Sequence, residues 1–225
     1  NDLKGHSGLI NNTTAEDTIG AYQNAMMAAL LASVKDNNQA GIVIRPINGR
    51  LRTFEDDTAD VALKSQTYEV FLTRAPKSDV RVTATPVLPV ESELALGGKG
   101  ILLNGSEQGT TLFFTQNNWF KKQTITVTAA DDNLAEGIRY INIQHSVTEG
   151  ASASDGDEYD QLVAGSLTVE VVDDDAGDVL IVESGGGTTL AEDGIRDTGD
   201  TQSIAAWDSY PMLLTKAPGS MHHTV

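Results

Sequence analysis

The chain has no cysteine, and it is poor in aromatic and basic residues. Without cysteine it can form no disulfide, no thiol nucleophile and no zinc–thiolate site. Its 15 lysines and arginines stand against 32 aspartates and glutamates, which gives a formal net charge of −17. Because nucleic acid is also anionic, this charge argues against nucleic-acid binding. The same surface attracts cations, although acidity alone also keeps proteins in solution.

Long apolar segments are missing as well. No run of residues approaches the roughly 20 that a membrane-spanning helix needs. No signal peptide is visible after Asn1. We therefore expect no direct membrane insertion, and we expect any targeting signal to lie on sequence outside these residues.

The sequence repeats itself at a spacing of 137 residues. Matching residues occur in the same order in two stretches: Tyr22, Leu30, Val34, Asp36, Ile44, Gly49, Glu55 and Asp56 recur as Tyr159, Leu167, Val171, Asp173, Ile181, Gly186, Glu192 and Asp193. The spacing then becomes 142, and the pattern of 68–78 recurs in 210–220. This order predicts the end of one repeat (1–41), a complete repeat (42–178) and the beginning of another (179–225).

Short segments with alternating side chains and many β-branched residues predict strands. They are 67–73, 80–85, 111–115, 123–128, 139–145 and 166–172. Glycine-containing turns separate them, and no long helix is indicated, so the fold class is all-β and the architecture an antiparallel sandwich. The segment 25–32 contains strong helix formers. Because the repeat aligns it with 162–169, we expect a strand there instead.

Acidic residues cluster at three places in the complete repeat. The clusters are Glu55-Asp56-Asp57, Asp131-Asp132 with Glu136, and Asp173-Asp174-Asp175. Each follows a predicted strand, and loops of a sandwich converge at its poles. Packed carboxylates repel one another unless a cation neutralises them. Calcium accepts 6–8 oxygen ligands in irregular geometry and fits such loops better than magnesium does.

Other interpretations stay open at this point. Each acidic cluster taken alone could be a solvated loop, and Asp131 with Glu136 could be read as a glycosidase pair. His145 beside Ser146 suggests a nucleophile only superficially, because no third member stands at a usable spacing. Trp119 and Trp207 are expected to be packing anchors.

Two stretches carry a resemblance to a known family. The strand 124–128 running into Asp131-Asp132-Asn-Leu-Ala-Glu136-Gly137, and the ending Val169-Glu-Val-Val-Asp-Asp-Asp-Ala-Gly177, resemble a Calx-beta repeat. The segment Phe113-Phe-Thr-Gln-Asn-Asn-Trp119 resembles the version found in large bacterial surface proteins. The resemblance implies an immunoglobulin-like sandwich with calcium at one pole. The ligands it implies are Glu55, Asp131, Asp132, Glu136, Asp173, Asp174 and Asp175.

The chain also departs from that family pattern. No carboxylate occurs around Leu103-Asn104, and the first repeat closes with Asp36-Asn37-Asn38, where amides replace two carboxylates. We therefore expect a weaker or absent site in the first repeat.

The sequence favours a mechanical role over catalysis. We expect a non-enzymatic repeat segment of an extracellular or cell-surface filament or adhesin, with calcium stiffening the junctions between repeats. The expected partners are neighbouring repeats and possible further copies in a surface layer. The alternatives are a spacer within a large secreted enzyme and a calcium-sensing regulatory module.

Overall fold

The computed structural model describes residues 8–11, 29–32, 34–55, 61–152, 154, 156–160, 162–183 and 208–217. The strands in these ranges are β1 (Gly8–Ile10), β2 (Leu30–Ala32), β3 (Ile42–Pro46), β4 (Leu51–Phe54), β5 (Ser65–Leu72), β6 (Val80–Pro86), β7 (Ile101–Leu103), β8 (Thr110–Phe114), β9 (Gln123–Ala129), β10 (Ile138–Glu149), β11 (Leu167–Val172), β12 (Val179–Ile181) and β13 (Met212–Leu214). The helices are α1 (Val61–Lys64) and α2 (Glu91–Leu96). Neither of these helices has the length and apolar character that crossing a membrane requires.

Two sheets face each other and form a sandwich. One sheet has the strand order β4-β11-β10-β6-β8, and the other has β3-β5-β9-β7. Their inner faces are built by alternation, since every second residue of a strand points to the same side. In β9, for example, Ile125, Val127 and Ala129 are buried. The all-β sandwich predicted from the sequence is confirmed.

Each of the six predicted strands overlaps a strand of the structure. The segment 25–32, with its helix formers, ends in strand β2, and its residues 25–28 lie outside the described ranges. The helix α2 was not predicted. It is short and none of its residues is buried, so it has no apolar periodicity by which a sequence reader could find it.

One strand pair departs from the antiparallel pattern. β4 runs parallel to β11, and Phe54 stands beside Val172. The pairing continues one residue further, because the N–H of Glu55 donates to the carbonyl of Val172 at 3.1 Å. Two parallel neighbours end at the same edge of a sheet. The residues that follow β4 and β11 therefore emerge side by side.

A second, smaller apolar cluster lies beyond this edge. Phe54, Val172 and Leu180 are buried in it, and Leu63, Val182 and Leu213 pack against them. Leu180 lies on β12, which pairs with β13. This cluster joins the sandwich to the two-stranded sheet that follows it.

The pairing of β12 with β13 has the same register as the pairing of β3 with β5. In the first pair Val179, Leu180 and Ile181 face Leu214, Leu213 and Met212. Subtracting 137 from the former set and 142 from the latter gives Ile42, Val43 and Ile44 facing Leu72, Phe71 and Val70, which is the observed register of β3 and β5. The two spacings found in the sequence thus describe corresponding strand pairs.

Both ring nitrogens of His145 make hydrogen-bond contacts within the sandwich. Its Nε2 lies 3.0 Å from the hydroxyl of Tyr68, and its Nδ1 lies 2.7 Å from the carbonyl of Gly165. Since a carbonyl can only accept, Nδ1 carries the proton and Nε2 accepts from the tyrosine. Burial lowers the pKa of His145, and the bond to Gly165 opposes that shift only in part. Both ring nitrogens of His145 are therefore occupied by hydrogen bonds to Tyr68 and Gly165.

Glu149 holds together the pole opposite the end of β11. Its side chain is fully buried. Its Oε1 accepts from the backbone N–H groups of Lys77 and Ser78 at 2.7 and 2.9 Å, and its Oε2 accepts from that of Tyr159 at 3.2 Å. A carboxylate is needed there because all three partners are donors.

We predict that Glu149→Gln destabilises the fold. The amide replaces one acceptor oxygen by a donor that faces backbone N–H groups, and the lost charge-assisted bonds should cost about 2 kcal/mol of unfolding free energy. Urea denaturation measures this. Glu107→Gln removes the same charge from an exposed residue and should have little effect; equal effects of both changes would contradict the assignment.

Candidate metal centre

Five of the seven ligands predicted from the sequence meet at the pole where β4 and β11 end. Glu55 follows β4, Asp132 follows β9, Glu136 precedes β10, and Asp173 follows β11. β10 runs antiparallel to β11, so its beginning lies next to the end of β11. Three loops thus supply carboxylates to one place, because Asp132 and Glu136 lie on the same loop between β9 and β10.

Two overlapping trios of carboxylates result. Glu55, Asp173 and Asp174 form one, and Glu55, Asp132 and Glu136 form the other. In each trio, one oxygen from every residue lies within 4.8 Å of the others. Glu55 belongs to both trios and is only 1% exposed.

Asp173 organises the loops around the site. Its Oδ2 accepts from the backbone N–H groups of Glu136 and Gly137, the second at 2.7 Å. Its Oδ1 accepts from the N–H of Asp175 at 2.6 Å and closes a tight turn. Oδ1 accepts only this one bond and keeps a further lone pair, so Asp173 can still ligate a cation through it.

Asp132 has a similar role on the other side. Its Oδ2 accepts from the N–H of Lys99 at 2.7 Å, and its Oδ1 accepts from the N–H of Leu134 at 2.7 Å. The side chain of Lys99 reaches the carbonyl of Asp131 at 2.7 Å. Asp132 is therefore held in place by the loop before β7.

The site also contains a cation of its own. The guanidinium of Arg139 contacts Glu55 and lies 2.7 Å from Glu136. Its Nη1 donates to the carbonyl of Lys99 at 2.9 Å. The arginine side chain is 14% exposed.

Sequence reasoning missed Arg139, although the strand contained a signal. Alternation along β10 places Arg139 on the same side as Ile143, Val147 and Glu149, which are all buried. A charged residue in the inward phase of a strand needs a partner of opposite charge. That argument predicts an acidic partner for Arg139, but it does not say which acidic residues these are.

Burial dominates the electrostatics of Glu55. It raises the pKa of Glu55 to about 7, while Arg139 lowers it and the charges of Asp132 and Asp173 raise it further. The pKa of Glu136 is also raised, first by burial, and Arg139 again opposes the shift. Arg139 thus offsets only part of the effect that burial has on the pKa of these two carboxyls.

The chemistry of this donor set fits a hard cation. Oε2 of Glu55 and Oε1 of Glu136 are buried and have no hydrogen-bond partner in the described part of the chain. A buried carboxylate oxygen without a donor is costly unless a cation approaches it. Oxygen ligands from flexible loops are the set that calcium prefers.

The trios do not include every residue predicted from the sequence. Asp131 is exposed, and its backbone carbonyl accepts a hydrogen bond from the side chain of Lys99. Asp175 belongs to neither trio, although its Oδ2 is buried without a partner in the described ranges. Asp56 and Asp57 lie outside those ranges. The full set of seven calcium ligands remains a prediction. The weaker calcium site expected beside Asp36 also remains a prediction.

Comparisons with known proteins give structural neighbours only. No family model matches the chain, and no curated protein does. Similar solved structures include the apo form of the Calx CBD1 domain, with 14% identity, a TM-score of 0.35, and coverage of 59% of this chain and 96% of that one. CBD12 from CALX1.2 has 12% identity, a TM-score of 0.36, and coverage of 76% and 73%. The calcium-binding domain CBD12 of CALX1.1 has 13%, 0.36, and coverage of 77% and 70%.

TM-scores and identities this low establish neither a shared fold nor a shared activity. The description of the sandwich and of the carboxylate trios rests on the structure of this chain and not on these comparisons. The bacterial surface context that the sequence suggested stays a prediction.

We predict an unusual pH dependence in the presence of chelator. Because the pKa of Glu55 rises from 4.5 in the unfolded chain to about 7 in the fold, the folded state binds the additional proton. The stability of the wild type relative to Glu55→Gln should therefore fall as pH rises through that interval, by on the order of 3 kcal/mol. Urea denaturation at several pH values measures it, and parallel profiles of the two proteins would refute it.

Proposed function

We propose that the complete repeat is a non-catalytic, calcium-binding β-sandwich module. The observation that carries this is the Glu55–Asp173–Asp174 trio, in which one buried oxygen of Glu55 lacks any hydrogen-bond donor in the described residues. Asp132 and Glu136 stand immediately beside it and share Glu55. Calcium bound there would neutralise repelling carboxylates that come from separate loops.

The site is shared with the segment that follows. Asp173 closes a turn onto Asp175, whose carbonyl accepts from the side chain of Lys216 at 2.9 Å. The next carbonyl, of Ala176, accepts from the hydroxyl of Thr215 at 2.6 Å. A cation held by Asp173 and Asp174 would therefore immobilise the turn to which the following strands are attached.

The apolar junction cluster adjoins the same residues. Phe54 precedes Glu55 and Val172 precedes Asp173, and both pack with Leu180 of β12. Arg52 bridges the two parts as well, since it pairs with Glu170 at 2.8 Å and reaches the carbonyl of Ile181 at 3.4 Å. In our proposal, cation binding and docking of the next unit support each other.

Hydrogen bonds around the two unit boundaries support a tandem arrangement. The turn bond from Asn38 N–H to Asp36 corresponds to that from Asp175 N–H to Asp173. Three further bonds recur at the same spacings: Thr73 Oγ1 to Gln39 O, Thr73 N to Gly41 O and Arg74 Nη1 to Asn38 O correspond to Thr215 Oγ1 to Ala176 O, Thr215 N to Asp178 O and Lys216 Nζ to Asp175 O. Together with the shared strand register, they favour the division into 1–41, 42–178 and 179–225.

We place this module in a long extracellular or cell-surface protein of structural or adhesive type. The supporting features are the acidic composition and a junction suited to stiffening by a cation. Neighbouring repeats would be its partners within the chain, and further copies its partners in a filament or surface layer. A spacer in a secreted enzyme and a calcium sensor remain the alternatives, and the sensor would require a reversible change of junction angle with calcium.

We predict that calcium stabilises the chain and that Asp174→Asn weakens this effect. At a free calcium concentration 100 times Kd, binding should add about 2.7 kcal/mol to the unfolding free energy. Titration calorimetry and urea denaturation with calcium or chelator measure this. The control is Asp79→Asn, which removes one charge from an exposed residue and should keep the wild-type response. Absence of any calcium effect on the wild type would overturn the proposed function.

The junction gives a separate prediction. Leu180 is 6% exposed, so Leu180→Ala should loosen the contact with Phe54 and Val172 and speed hydrogen exchange in β12 and β13. Exchange in β9 and β10 should stay unchanged, because their core is separate. Ile181→Ala is the control, since that side chain is 50% exposed. Equal exchange in both variants would argue against a docked junction.

A further inference from the structure

An open groove lies on the outside of the sandwich, beside the beginning of β10. Its volume is about 320 Å³. Residues 87–90, which follow β6, form one wall, and Tyr140 and Ile141 of β10 belong to the other. Glu93 of α2 also lines it. The groove is therefore apolar along its walls and has a carboxylate beside it.

The apolar side chains of the groove are exposed to solvent. Leu88, Val90 and Tyr140 are 53%, 59% and 67% exposed. Leu94 of α2 borders the segment that carries Leu88 and is 49% exposed. Single exposed apolar residues are common, but a contiguous group of them marks an interaction surface. Covering this group with another chain would remove apolar area from water.

β10 also directs backbone groups into the groove. β6 pairs with β10 as far as Pro86, which faces Ile143, and the N–H of Val87 then donates to the carbonyl of Asn142 at 2.8 Å. Residues two apart on a strand direct their N–H and C=O groups to the same side, so Tyr140 directs both of its groups to the groove. No backbone group in the described ranges bonds to them on that side. A strand edge of this kind can pair with an added strand.

The acidic side chains beside the groove are available to a basic partner. Glu93 lines the groove, and Glu91 is exposed on the same helix. No ion pair of the described residues includes either of them. The cation that lines the groove, Arg139, already contacts Glu55 and Glu136. The groove is therefore complementary to apolar side chains that stand next to lysine or arginine.

From this geometry we infer that the groove binds an extended segment of another protein, in which apolar residues alternate with lysine or arginine. The segment pairs with the backbone of Tyr140, packs its apolar side chains against residues 87–90 and brings its basic ones near Glu91 and Glu93. A second copy of this chain fits less well, because both copies carry the same carboxylates and a net charge of −17. Binding of this segment does not require calcium, so the inference goes beyond the proposed function.

Peptides of defined sequence test the inference on the whole chain. One end-blocked heptapeptide alternates lysine with valine, and a second alternates glutamate with valine; fluorescence polarisation gives their Kd. We expect the lysine peptide to shift the NMR signals of residues 87–90 and to slow hydrogen exchange at the N–H of Tyr140. The glutamate peptide should bind at least about tenfold more weakly. A lysine peptide methylated on every backbone nitrogen keeps its charges but cannot pair as a strand, and it should lose affinity by a similar factor.

Variants distinguish binding in the groove from general attraction to an acidic surface. Val90→Ser and Tyr140→Ser change exposed side chains, and each should weaken binding of the lysine peptide by about fivefold or more. Phe113→Ser is the matched control, because that side chain is 57% exposed but lies on β8. Glu91→Gln should weaken binding by about two- to threefold and reduce its dependence on salt. Asp79→Asn removes one exposed charge elsewhere and should leave both unchanged.

The outcomes that overturn the inference are specific. They include equal affinity of the lysine peptide for the wild type, Val90→Ser and Tyr140→Ser, and equal affinity of the wild type for the lysine and glutamate peptides. Sedimentation of the wild type as a dimer that Val90→Ser dissociates would identify a second copy as the occupant. Flotation with phosphatidylcholine vesicles that the same variant abolishes would identify a lipid surface.

The test also separates this inference from the proposed function. Each titration is carried out once with calcium and once with chelator. If calcium has no effect on the stability of the wild type but the lysine peptide still binds in the groove, the proposed function is wrong and this inference holds. If calcium stabilises the chain but the peptide does not bind, the reverse is true.

Discussion

The parallel pairing of β4 with β11 is the constraint on which the acidic pole depends. Neighbouring parallel strands end at the same edge, so Glu55 and Asp173, which are distant in sequence, leave the sheet side by side. The antiparallel entry of β10 brings Glu136 and Arg139 to that edge as well. Had β4 paired in the other direction, Glu55 would lie at the opposite pole, and neither of the two trios that contain it would form.

Burial makes the convergence of these carboxylates energetically unfavourable. Two kinds of contact offset part of this cost. Backbone N–H groups bind both oxygens of Asp173 and of Asp132 and keep these carboxylates ordered. Arg139 compensates part of the charge on Glu55 and Glu136. Oε2 of Glu55 and Oε1 of Glu136 still lack a hydrogen-bond donor among the described residues, and the pKa of Glu55 is raised. In our proposal a bound cation would relieve the repulsion among these carboxylates, and this would couple the ion to the junction with the strands that follow.

The two places that our proposal treats as boundaries between repeats share a small set of contacts. An aspartate closes a turn onto the residue two positions later, and a threonine and a basic residue from the following unit bind the carbonyls of the turn region. At the first boundary the turn has Asp36 and Asn38, and at the second it has Asp173 and Asp175. The hydrogen bonds tolerate the change from carboxylate to amide because the backbone carbonyl, not the side chain, receives the basic residue. The proposed cation site would depend on charge and would not share this tolerance.

Alternating β-branched segments and glycine turns determined the strands and the all-β class, because burial on one face of a strand follows a period of two. The spacing of 137 residues and the three acidic clusters could also be found in the sequence, since neither depends on which strands become neighbours. Only the tertiary structure decided that β4 pairs in parallel, that Asp131 and Asp175 stay outside the trios, and that Arg139 enters the site. These depend on which distant strands become neighbours and on how many charges share one buried volume, and no local pattern encodes either.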